Sequence, residues 1–170
     1  MSSTTVSSKL VKGFAKILAR KEWTPQELAA AVAKVIRKRE DLWNQRTWFG
    51  HRTTSVAGMR DALADSEPAC GTTGCVAGWV AALSLPGDTS ISSSGSFWNS
   101  GTGLNGNAMD FAKDKLALDH GQASWLFSGD RTLGQVLFAL DLIAAGRSWD
   151  VTSPSSHPRT VTVTLDGPQD

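Results

Sequence analysis

The sequence predicts a mainly α-helical fold: a compact helical domain with a basic N-terminal helical hairpin, a buried central helix, a long Gly/Ser loop and a minor β element at the C-terminus. Three observations predict it. Residues 73–84 form an apolar stretch of helical length, with Cys75, Val76, Ala77, Trp79, Val80, Ala81, Ala82 and Leu83, and a helix apolar on every side belongs inside a core. Four further stretches space their apolar residues at helical periodicity. Helix punctuation is explicit at Thr24-Pro25, with Glu27 placed as the partner of a capping box.

Taken in order, residues 1–8 are a flexible polar tail without the charged-then-apolar order of a signal peptide. Residues 9–21 read as an amphipathic helix with Leu10, Val11, Phe14, Ile17 and Leu18 on one side and Lys9, Lys12, Lys16 and Arg20 largely on the other. From Thr24 a second helix carries Leu28, Val32, Val35 and Ile36 as its stripe. It ends in Arg37, Lys38 and Arg39, where cations suit the helix dipole. Together 9–41 form the basic hairpin. The aromatic stretch 42–50 reads as a packed connector, and 56–64 as a short helix with Met59 and Leu63 inward. Asp65 to Pro68 is a break.

The buried helix 73–84 is expected to be capped by Thr72 or Thr73 and stopped at Pro86-Gly87. Residues 84–107, rich in Ser, Gly and Asn, read as a loop insertion, flexible or a weak hairpin, and the most mobile part of the surface. Helices then return at 108–118, at 120–127 and at 133–145, the last stopped by Gly146. Residues 9–150 make one domain. The tail 151–170 holds a strand-like alternation at 160–165, which needs a partner such as 89–99 or another chain.

The composition, 41% hydrophobic and 19% charged over 170 residues, excludes a disordered chain and allows one real core. No apolar run reaches the roughly 18 residues of a membrane span, so a cytoplasmic protein with reduced thiols is expected, without a membrane partner. The net charge of +1 conceals a split. Residues 1–60 hold 12 basic and 4 acidic residues, or +8, and residues 61–170 hold 5 and 12, or −7. Such a split marks either a nucleic-acid surface or two halves that complement each other. No base-reading motif accompanies it.

Chemistry concentrates in Cys70-Gly71-Thr72-Thr73-Gly74-Cys75. At a helix start, Cys75 would feel the dipole and free amides that favour a thiolate. A cysteine enzyme would use Cys75, Cys70 and His51, but no local signature ties a histidine to the thiols. The alternative is a pair of small buried hydrophobes. A zinc site would need Cys70, Cys75, His51 and His120 to converge, because no second cysteine pair exists; no cofactor is expected. Gly71, Thr72, Thr73 and Gly74 would either cradle an anion or make a turn requiring glycine; no Gly-Lys-Ser/Thr follows, so this is not a P-loop.

Seven tryptophans accompany no tyrosine. Trp43, Trp48, Trp79 and Trp125 are expected to build the core. Trp98 and Trp149 would either anchor a partner or fold back over the core. A partner surface would draw on these two with Lys12, Lys16, Arg20, Arg37, Lys38 and Arg39. Nucleic acid would add stacking on Trp43 or Trp48.

The order of motifs, Arg46-Thr47-Trp48, then Cys70-Gly71-Thr72-x-x-Cys75-x-Ala77-Gly78-Trp79, then Leu116-Ala117-Leu118 with Ala123 and Leu126-Phe127, then Gly146 and Trp149, resembles a broad group of small bacteriophage and actinobacterial proteins. The resemblance covers roughly residues 42–150. It implies a phage or mobile-element setting and little chemistry. The expectation is a non-enzymatic accessory protein that binds and modulates a host or phage macromolecule, in the host cytoplasm. A nucleic-acid regulator, a minor virion component and a cysteine-dependent enzyme are the alternatives.

Overall fold

A computed structural model of the chain describes residues 14–47, 55–64 and 73–149. It is mainly helical, as predicted, and carries one small sheet. The elements are α1 (Pro25–Lys38), a 3-10 turn (Glu40–Leu42), α2 (Val56–Ala64), α3 (Val76–Ser84), β1 (Ser90–Ile91), β2 (Ser96–Asn99), β3 (Leu104–Asn107), α4 (Ala108–Lys115), α5 (His120–Leu126) and α6 (Leu133–Ala144).

The capping box at the start of α1 forms: Thr24 Oγ1 accepts from the Glu27 N–H at 3.3 Å, and Glu27 Oε2 accepts from the Thr24 N–H at 3.1 Å. Two more boxes start α5, with Asp119 and Gln122, and α6, with Thr132 and Gln135. The stripe Leu28, Val32, Val35 and Ile36 is fully buried. Among the described elements α1 packs most extensively on α6. Ahead of α1, residues 14–18 are helical, with Phe14 buried and Ile17 and Leu18 partly so. Leu10, Val11 and Lys12 lie outside the described residues.

α3 is the central element. Every residue from Val76 to Leu83 is buried, and the helix packs on α1, α2 and α4. Its start differs from the prediction: Cys75, not a threonine, is the N-cap, and its side chain makes no capping bond. The segment leading into the helix is held by backbone pairing instead. The connector 42–47 runs beside 73–75, with the Gly74 N–H donating to Leu42 O (2.9 Å) and the Cys75 N–H to Thr47 O (2.9 Å). Met59 and Leu63 of α2 face inward as expected.

The stretch read as a loop insertion is an antiparallel sheet of order β1-β2-β3. Trp98 pairs with Ser90 and with Asn105, and Phe97 with Ile91 and with Gly106. Ile91 and Phe97 point into the core. Phe97 meets Phe111 of α4 edge-on, with centroids 5.5 Å apart. The turn after β2 is tied by Asn99, 3% exposed. Its Oδ1 accepts from the N–H groups of Gly101 and Thr102, and its Nδ2 donates to Asp88 Oδ1 at 2.7 Å. α6 ends as predicted at Gly146 (φ 68°), where the Arg147 N–H returns to Leu142 O. α4 stops at Lys115, three residues short of the prediction, because Ala117 turns into the left-handed region at φ 53°. The tails 1–8 and 151–170, with the alternating segment 160–165, lie outside the described residues.

Candidate functional site

The thiol segment was the first candidate. Cys75 sits at the start of α3 with 3% exposure and is a free cysteine. Burial pushes its thiol up to about 11, against the pull of the backbone N–H groups of Gly78 and Ala77. The helix start thus supplies the expected amides, but desolvation outweighs them. Of the two readings of Cys75, the small buried hydrophobe holds and the dipole-activated thiolate does not: at neutral pH Cys75 is a protonated, enclosed thiol. His120 is exposed on the first turn of α5. Cys70, His51, Gly71 and Thr72 lie outside the described residues. Among the described residues, no group of three or more His, Cys, Asp and Glu side chains is placed to hold a metal. Of the glycine-threonine loop, Gly74 is buried and hydrogen-bonded in the bridge to Trp43, and Thr73 precedes it.

Gln45, which nothing in the sequence singles out, ties this region together. It is buried, donates from Nε2 to Leu126 O at 2.7 Å, and receives the Val76 N–H on Oε1 at 3.5 Å. One amide thereby links the first turn of α3 to the end of α5, which is an architectural task.

The basic residues separate into two sets. Arg39 is not a surface residue, contrary to the prediction. It is 6% exposed, donates from Nη1 to Ala62 O at 2.9 Å and pairs with Asp41. It closes the end of α2, whose last carbonyls lack helical partners. Arg37 pairs with Asp141 of α6. Arg20 pairs with Glu27 at 2.6 Å and covers the Trp23 ring; that guanidinium, with Thr24, holds the Glu27 carboxyl down at about 2. Lys16 and Lys38 are exposed and make no ion pair among the described residues. The charge split is thus partly answered inside the fold, most directly by Arg37 and Asp141.

The two tryptophans proposed as anchors also part company. Trp149 folds back: it is 4% exposed, and its carbonyl accepts from Gln122 Nε2 at 2.9 Å. It is a core residue, because the chain after Gly146 turns back toward α5. Trp98 is 49% exposed on the middle strand of the sheet. Its flanking partners across the strands, Ser90 and Asn105, are small and polar. Trp79 and Trp125 are buried and Trp43 is partly buried, as predicted; Trp48 lies outside the described residues. Phe138, on the outer side of α6, is 48% exposed and was missed. Its position off the stripe Leu133, Val136, Leu137, Leu140 was the available signal.

No protein-family model matches this chain, and neither a curated protein nor a solved structure matches it. No described helix is long and apolar enough to cross a membrane.

Proposed function

We propose that this chain is a non-enzymatic binding module, an accessory protein of phage type that modulates a host or phage protein through the outer face of its small sheet. The observation that carries the reading is Trp98, half exposed in the middle of that sheet. A large indole left in water is a poor use of apolar surface unless something covers it, and tryptophan is enriched among the residues that dominate interface energies. The platform beneath it is fixed: Phe97 is buried against Phe111, and Asn99 locks the adjoining turn. A pre-formed anchor loses little freedom on binding.

The phage setting rests on the resemblance of the Cys70–Trp79 segment. The protonated Cys75 thiol supports an architectural role for that segment. The nucleic-acid alternative has lost Arg39 to the interior, and Arg20 and Arg37 to ion pairs. Among the described residues of that set it now rests on Lys16 and Lys38.

Capture from host lysate with the intact chain, Trp98→Ser and Phe138→Ser tests the proposal. A partner retained by the wild type and by Phe138→Ser but lost from Trp98→Ser is expected. Identical capture by all three variants overturns the assignment to the sheet face. Retention that collapses with salt and nuclease would transfer the function to nucleic acid. Recovery of the chain in purified particles would place it in the virion instead of the host cytoplasm.

A further inference from the structure

A second feature stands apart from the sheet. A cleft of about 540 Å³ opens where the end of α3 meets α2 and residues 18–21, a size in the range of small-molecule sites. Leu18, Leu83, Leu85 and Pro86 supply an apolar wall. The polar side chains among its described lining residues are three cations and a hydroxyl, with no carboxylate among them.

Arg20 is neutralised by Glu27. Arg60 has no acidic partner among the described residues: Nε donates to Ala82 O at 2.7 Å and Nη2 to Leu85 O at 2.6 Å. These carbonyls belong to the end of α3, so Arg60 caps that helix. The cap does not exhaust it. A helix C-terminus presents about half an elementary negative charge, whereas the guanidinium carries a full positive one and five N–H donors, of which these bonds engage two. Lys21 adds a second, exposed cation. The cleft is therefore positive after the helix dipole is counted. Burial alone disfavours the charged form of Arg60, the condition an incoming anion relieves. Ser84 Oγ, also at the cleft, is buried without a hydrogen-bond partner among the described residues.

We propose that this cleft binds a small amphiphilic carboxylate of the acyl-chain type, its head group at Arg60 and Lys21 and its chain along Leu18, Leu83, Leu85 and Pro86. The two halves of the cleft select against simpler ligands. An inorganic anion answers the cations but leaves the apolar wall wet. A neutral or cationic amphiphile covers the wall but leaves the cations unanswered. The proposal is independent of Trp98.

Amide-resolved NMR titration of the full chain tests it, with acetate, hexanoate and decanoate as a length series and with inorganic phosphate and decyltrimethylammonium as controls. Expected are saturable shifts at residues 18–21 and 83–85 that strengthen along the length series and are absent with the cationic amphiphile. Lys21→Glu, an exposed change that leaves the Arg60 cap intact, is expected to weaken decanoate binding about tenfold, the scale of one charge-assisted contact. No saturable shift at these residues with millimolar decanoate overturns the proposal. So does phosphate binding as tightly as decanoate, equal binding of the cationic amphiphile, or an unchanged affinity in a Lys21→Glu variant whose spectrum is otherwise native.

Discussion

Helix α3 buries every residue from Val76 to Leu83, whereas the sheet at 90–107 buries one face, at Ile91, Phe97 and Asn99, and offers the other to solvent with Trp98 at its centre. The first is built from the inside: its sequence is so apolar that only the core can hold it; the connector 42–47 and Gln45 bind the backbone where it begins, and Arg60 binds the carbonyls where it ends. The second is built from its edges, by strand pairing, a locked turn and one aromatic contact to α4. The region that looked chemically richest in the sequence is thus the sealed one, and the region that looked featureless carries the display surface. Thiols attract attention because of what they do in water, but Cys75 is not in water.

The largest expected effect is at Trp79. It is fully buried in α3, so Trp79→Ala leaves a cavity in the core around that helix. A loss of about 3–5 kcal/mol is expected, read as a lower denaturation midpoint for the whole molecule. If the sheet and the helices lose structure in separate transitions instead, the two regions are less coupled than the packing implies.

Cys75 sharpens the same contrast through pH. Its thiol stands near 9 when unfolded and about 11 when folded. Between these values the unfolded chain has released the proton and the folded chain keeps it. Folding stability attributable to Cys75 is therefore intact below pH 9 and falls as pH rises toward 11, by about 1.4 kcal/mol per unit. The difference between wild type and Cys75→Ala in alkaline melts isolates this slope. A thiol that alkylates in the native protein at pH 8 as fast as in denaturant would show that α3 is not closed.

Gly106 tests the sheet on its own. A Cβ there would meet Phe97 Cζ at 2.8 Å. The ring lies across the glycine from the neighbouring strand and also meets Phe111 edge-on. Gly106→Ala must displace a packed aromatic, at about 1–3 kcal/mol. The loss is expected to appear first as faster hydrogen exchange in residues 90–107 and weaker partner capture, while α1 and α6 stay protected.

The readability of this chain follows from where each signal lives. Thr24 with Glu27, the stripe of α1 and the apolar run of α3 are local, and each specifies its element without reference to the rest. The sheet was opaque because its strands are short and its residues, Ser90, Ser96, Asn99, Asn105 and Asn107, have low strand propensity. It exists because Ile91 and Phe97 find the core and because Asn99 binds its turn. The same limit governs the candidate site. Trp98 and Trp149 carry identical side chains, each three residues from a glycine, and only the tertiary path of the chain decides that one is displayed and the other enclosed. Arg39 looks like a surface cation in the sequence because the carbonyls it binds, at Ala62 and Leu63, lie more than twenty residues away.

The smallest effect has the opposite sign. α4 ends where Ala117 adopts φ 53°, its N–H bonding to Asp114 O and the Leu118 N–H to Lys113 O. This is the left-handed cap that most helices give to glycine, and an alanine there holds its Cβ against the following carbonyl at a cost of about 1 kcal/mol. An alanine carries no local signal for that cap, which is why the predicted helix runs on to Leu118. Ala117→Gly should relieve the strain, offset in part by the greater freedom glycine has when unfolded, for a net gain of up to about 1 kcal/mol. Because Ala117 is exposed, the gain should appear in the melting temperature and leave the alkaline slope of Cys75 and partner capture unchanged. A loss of stability would mean that Ala117 packs against something, and that α4 is fixed by contact instead of by its cap.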